Sequence, residues 1–239
     1  MIPLKDTIPS RTFPFVNYAI IALNVIVFIF ELLLGKKGLE MFFLKFGLVP
    51  ANFFAAWHSH NAGIVGILLP FFTCMFLHAG WLHIIGNMWF LYIFGDNIED
   101  KLGHIKYIFF YLACGFVAGA SQFVFALHSH VPMIGASGAI AGVLGAYLLL
   151  FPQSKILTLV PIVFFIQIVE LPAFIFLLIW FLIQFFYGTI SIGALSGVGG
   201  GVAWWAHIGG FIMGMVLVKV FLKRRKRTIV SYPTKWEIN

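Results

Sequence analysis

The sequence predicts an all-α polytopic membrane protein with six transmembrane helices and both termini cytoplasmic. Three observations carry this expectation. Apolar residues make up 62% of the 239 residues and charged residues 10%, against roughly 45–50% and about 25% in soluble domains. So few charges cannot cover a water-facing surface, and a disordered chain needs the opposite balance. Second, apolar runs of about 20 residues, the length that crosses the hydrocarbon layer, recur along the chain. Third, with the termini inside, 12 of the 15 Lys and Arg fall on inner segments and 3 on outer ones, the bias that orients membrane proteins.

The elements follow in order. Residues 1–14, with Pro3, Pro9 and Pro14, form a cytoplasmic N-terminal segment; no small-residue cleavage site is present, so no removable signal peptide is expected. The membrane domain covers residues 15–222, and its first span is 15–34. Residues 64–77 are apolar but too short and carry Pro70, which assigns them to a long outer loop dipping into the interface. The second span is 80–94, the third 107–127 and the fourth 135–151. Residues 156–187 exceed one crossing and contain Pro161, Glu170 and Pro172. They divide into an interfacial stretch (156–169) and a fifth span (171–187). The glycine-rich run 188–201 reads as a mobile loop, and the sixth span is 204–222. Residues 223–239 form a basic cytoplasmic tail.

The formal net charge of +7 does not indicate nucleic-acid binding. Five basic residues form one run, 223–227, directly after the sixth span, where anionic lipid is the natural counter-charge. Cys74 and Cys114 lie in apolar surroundings and read as free, packed thiols. His58, His60, His128 and His130 make two His-x-His pairs in outer loops, with no third ligand placed, so no metal or cofactor is expected.

Polar side chains inside membrane spans are costly and raise a functional question by default. His83 and Asn87, spaced i, i+4, share a face of the second span. The fourth opens with Gly135-Ala136-Ser137-Gly138, and the sixth carries His207 in Ala206-His207-Ile208-Gly209-Gly210. All three spans run inward, and each polar group lies near its start, so Ser137, His83 and His207 share a depth about one turn below the outer surface. Asn87 lies about one turn deeper. A serine hydroxyl needs a base to become a nucleophile, and histidine is the usual one. Imidazole, amide and backbone N–H donors suit an oxyanion. Small residues at Ser137, Ala141 and Gly145, and at Ala203, Gly210 and Gly214, favour close packing of the fourth and sixth helices. Ser137 alone would read as a packing residue, and His83 and Asn87 alone as interhelical glue. Glu31 reads as an interfacial carboxylate snorkelling toward water.

Taken together, His83-x-x-x-Asn87, the Gly135–Gly138 tetrapeptide and the Ala206–Gly210 pentapeptide resemble the rhomboid intramembrane serine proteases over residues 15–222. The resemblance implies a six-helix bundle with a Ser137–His207 dyad and an oxyanion site from His83, Asn87 and the Ser137 N–H. It makes His78, Gly135 and Ala136 candidates for cavity or substrate contact. It implies transmembrane protein substrates met within the lipid bilayer, and a glycine-rich cap over the site. A compact form with short tails fits a bacterial plasma membrane. Two positions depart from the family pattern: residues 35–70 contain no Arg, and Ala141 stands where many members place an aromatic against the histidine. The rivals are a catalytically silent rhomboid-like binder, expected to lack Ser or His, and a transporter, expected to show an internal repeat.

Overall fold

The computed structural model describes residues 1–59, 63–162, 165–193 and 202–222. A short strand, β1 (Ile2–Asp6), precedes the long apolar helix α1 (Phe15–Leu33). Three helices follow, α2 (Gly35–Phe46), α3 (Pro50–Ser59) and α4 (Gly63–Thr73), the last continuing into a single 3-10 turn, Cys74–Phe76. Next come α5 (Trp81–Leu102), α6 (His104–Phe125) and α7 (Ser137–Leu150). A hairpin of β2 (Lys155–Ile162) and β3 (Phe165–Pro172) leads to α8 (Ala173–Gly193) and α9 (Trp204–Phe221).

Four helices, α1, α6, α8 and α9, are long and apolar enough to cross a membrane. The α4 segment and α5 make a fifth candidate as one span bent by 85°. These are four to five candidates by length and composition among the described residues, against the six spans expected. The difference lies largely in α7, whose 14 residues rise only ~21 Å. Residues 138–147 of α7 are all buried, enclosed by α5, α6, α8 and α9. A helix with no lipid-facing side need not match the thickness of the bilayer.

Three expectations are corrected. Residues 63–73 are helical where a loop was expected, with Pro70 inside the helix. The all-α expectation misses a three-stranded antiparallel sheet in the order β1-β2-β3, built from the supposed N-terminal tail and the supposed interfacial stretch 156–169. Strand residues such as Ile156, Thr158, Val160 and Ile168 are β-branched, which suits a pleated surface, and Ile156 and Thr158 are fully buried. Lastly, α8 continues to Gly193, so residues 188–193 of the expected loop are helical; 194–201, like the basic tail 223–239, lie outside the described residues.

The second span also ends later than expected, at Leu102 rather than 94. Its polar extension is held by hydrogen bonds: the Glu99 carboxylate accepts the N–H groups of Val16 (3.0 Å) and Asn17 (2.7 Å). These are orphan donors at the start of α1, so one buried acid joins two helices.

Glycines decide how α7 meets α9. A Cβ on Gly210 would collide with the Gly138 carbonyl, one on Gly214 with the Gly142 backbone, and one on Gly145 with the Phe211 carbonyl. The two backbones therefore touch directly, as small-residue stripes permit in membranes. On α9 the expected stripe of Gly210 and Gly214 makes this contact. On α7 the contact face is Gly138, Gly142 and Gly145, one position round from the expected Ser137–Ala141–Gly145 line.

Candidate active site

Ser137 is the first residue of α7, and the chain before it is fixed on both sides. Met133 and Leu48 exchange backbone hydrogen bonds (2.9 and 3.0 Å), and Gly135 N–H donates to the Cys74 carbonyl (2.8 Å). Gly135 has φ +121°, a left-handed conformation that favours glycine. A Cβ there would also sit 2.6 Å from His83 Nε2 and 3.6 Å from Asn87 Nδ2. This glycine lets the backbone press against the polar face of α5. Helix α7 then starts, with the Ala136 carbonyl accepting the Ile140 N–H (3.0 Å). The N–H groups of the first turn lack intrahelical partners.

His207 lies on the first turn of α9 and is buried. Its Nε2 is 2.7 Å from Ser137 Oγ, and its Nδ1 is 2.7 Å from Gln184 Oε1 on α8. The start of α9 is held from α6, where Gln122 Oε1 accepts the Trp205 N–H (3.1 Å). The glycine contacts described above set the distance between α7 and α9, and with it the distance between hydroxyl and imidazole.

His83 Nδ1 accepts the Ala79 N–H (3.4 Å), which leaves Nε2 facing Gly135. Asn87 Nδ2 is buried and has no partner among the described residues. Asn87 Nδ2 and His83 Nε2 both lie against Gly135, which makes this a polar pocket. His78 belongs to it: the residue is buried, both ring nitrogens are without a partner among the described residues, and its ring centroid is 5.0 Å from that of His83. Glu31 is corrected. It is buried rather than snorkelling, and both carboxylate oxygens accept the His78 backbone N–H at 3.3 Å, so it braces the pocket from α1.

Of the sequence-predicted residues, Ser137 meets His207, Gly135 meets His83 and Asn87, His78 meets His83, and Ala136, next to Ser137, is fully buried. Gln184 and Trp180 of α8 were missed. The Trp180 ring lies 5.9 Å from the His207 ring, while Trp204 is edge-on at 6.3 Å and Trp205 stacks on Phe125 instead. A signal existed: Gln184 is a lone polar residue in an apolar span, four residues after Trp180. Among the described residues no three His, Cys, Asp or Glu gather as a metal site.

Comparison with known proteins yields one family. The family model of the rhomboid domain matches residues 65–224. RHOMBOID-like protein 1 of Arabidopsis thaliana is 33% identical over 159 residues, 64% of this chain and 34% of that protein. The putative rhomboid protease YdcA of Bacillus subtilis is 30% identical over 105 residues, 42% of this chain and 52% of the relative. Rhomboid protease GluP, also of B. subtilis, is 40% identical over 76 residues, 32% of this chain and 14% of the relative. The chain therefore spans between about a seventh and a half of the length of these relatives.

Proposed function

The chain belongs to the rhomboid family, and from that premise we propose that it is an intramembrane serine endopeptidase working through a Ser137–His207 dyad. The observation that carries this reading is the 2.7 Å approach of His207 Nε2 to Ser137 Oγ, beside the unpaired Asn87 Nδ2. In the reaction, Ser137 Oγ attacks a peptide carbonyl as its proton passes to His207 Nε2. The oxyanion takes hydrogen bonds from Asn87, His83 and the N–H groups at the start of α7. His207 then protonates the leaving amine as the C–N bond breaks. Water, admitted through the polar pocket at His78, attacks the acyl-enzyme by the reverse proton route.

The same reading assigns residues 15–222 to a six-span protease domain with cytoplasmic termini in a bacterial plasma membrane, cutting transmembrane protein segments near their outer end. A helical segment hides its carbonyls in hydrogen bonds, so the scissile stretch must unwind to reach Ser137. Beside Ser137 lies a cavity of about 20 Å³ lined by Met75, Gly115, Ala118, Met133 and Ala203 among others. Its size suits a small side chain at the cut. The test is cleavage of a labelled transmembrane substrate in proteoliposomes. Wild type is expected to cut, and Ser137→Ala and His207→Ala to lose activity by on the order of 10⁴-fold or more. Undiminished cleavage by Ser137→Ala, or client binding without cleavage by wild type, contradicts the proposal; the second outcome is that of a silent binder.

A further inference from the structure

Resting on that hydrolytic reading, we propose that Gln184 is the positioning residue for His207, and that Ser137 is activated only while α8 is seated against α9. A side-chain carbonyl oxygen has lone pairs and no hydrogen, so the His207 nitrogen 2.7 Å from Gln184 Oε1 carries the N–H. A neutral imidazole has one such hydrogen, and it lies on Nδ1. Nε2 is then bare and faces Ser137 Oγ at 2.7 Å, ready to accept the hydroxyl proton. In the other tautomer, Nε2–H would meet the hydroxyl and two lone pairs would face each other at Gln184.

An amide is a suitable acceptor in this place. A carboxylate would fix the ring equally well but would require a second ion to be taken out of water. Among the described residues no other element supplies the constraint. Ala141, fully buried on α7, offers only a methyl group, and Trp204 meets the ring edge-on. Gln184 and Trp180, which lie against His207, both come from α8.

That helix is seated by one stripe. Ala173, Phe176, Leu177, Trp180 and Gln184, at i, i+3, i+4, i+7 and i+11, face the bundle, while Leu178, Leu182, Phe185 and Phe186 are exposed. Against α9 it rests on aromatic contacts, Phe181 on Phe211 at 4.9 Å and Tyr187 on Trp204 at 5.0 Å. Displacing α8 withdraws Gln184 and Trp180 from His207 in one movement, so a separated α8 leaves the imidazole free to take the wrong tautomer.

The experiment uses the full chain in proteoliposomes, with kcat and KM for a labelled transmembrane peptide, the rate of phosphonate labelling of Ser137, and ¹⁵N-histidine NMR. The His207 resonance is assigned by its loss in His207→Ala. Gln184→Met keeps length without the carbonyl; it is expected to lower kcat and labelling roughly 10–100-fold, the range for partners that orient a histidine. KM should stay within about twofold, and the Nδ1 signal should move from the protonated to the bare position. Gln184→Glu, which restores an acceptor oxygen, is expected to recover most of the rate and the wild-type tautomer. Phe181→Ala, which loosens α8 without touching His207, is expected to move the same signal partway. Full activity and an unmoved signal in Gln184→Met overturn the inference and leave hydrolysis intact. A wild type that neither cuts nor labels, with the signal still responding to Gln184→Met, removes the hydrolytic reading and supports the positioning contact.

Discussion

The two ends of α7 solve the problem of buried polarity in opposite ways. At its C-terminal end, Tyr147 O–H donates to Asp6 Oδ2 (2.6 Å), Asn97 Nδ2 donates to the same oxygen (2.9 Å), and Ser154 Oγ–H donates to the Tyr147 oxygen (3.1 Å). Glu99 nearby takes two backbone N–H groups of α1. At the N-terminal end, Asn87 Nδ2 and both His78 nitrogens lack partners among the described residues, and Ser137 and His207 face a pocket. Satisfied polar networks hold elements together. On the proposed dyad, the N-terminal end of α7 is the reactive end and the C-terminal end the structural one.

That contrast can be broken by substitution. The largest effect is expected from Asn87→Ala, which removes an unpaired donor from the reactive end. Proteolytic kcat should fall about 10²–10³-fold with thermal stability in detergent unchanged or raised. Next, Gly214→Val drives a side chain into the Gly142 backbone and should cost about 1–3 kcal/mol or more from overpacking, read by denaturant unfolding. Activity should fall with it, because that backbone contact sets the Ser137–His207 distance.

Tyr147→Phe, at the structural end, should cost about 1–3 kcal/mol by removing a donor from Asp6 Oδ2, while Ser154 Oγ–H keeps the Phe151 carbonyl (2.8 Å) and the folded fraction keeps its specific activity. A fall in kcat as large as that of Asn87→Ala would erase the distinction between the ends. The smallest effect concerns pH. Burial holds the Asp6 carboxyl above the ordinary carboxylate range. The folded protein then retains a proton that the unfolded chain has released, so the contribution of Asp6 is present at low pH and declines as pH rises through the raised value. Asp6→Asn should flatten that part of the stability–pH curve; an unchanged slope would show that Asp6 is not its source.

Much of this was legible in the sequence. The long apolar helices announced themselves by length, and the candidate site residues by being polar where polarity is costly. Ser137, His83, Asn87 and His207 sit in short local patterns with glycine neighbours, and such patterns survive without knowledge of the fold. What escaped depended on partners far along the chain. Glu31 looked like a snorkelling acid because the His78 N–H that it accepts is 47 residues away. Gln184 was passed over within an apolar run, since only the packing of α8 on α9 brings it to the imidazole. The sheet was hidden because β1 pairs with residues 150 or more positions later, and α7 reads as an ordinary span because sequence does not reveal that other helices enclose it.

The account stands or falls on whether Ser137 is a nucleophile prepared by His207. Wild type, Ser137→Ala and His207→Ala can be treated in proteoliposomes with a serine-directed fluorophosphonate, and the adduct mapped by mass spectrometry of the digested chain. The account predicts one adduct, on Ser137, absent in Ser137→Ala and reduced by orders of magnitude in His207→Ala. An adduct at another residue, or equal labelling of Ser137 with and without His207, would contradict it.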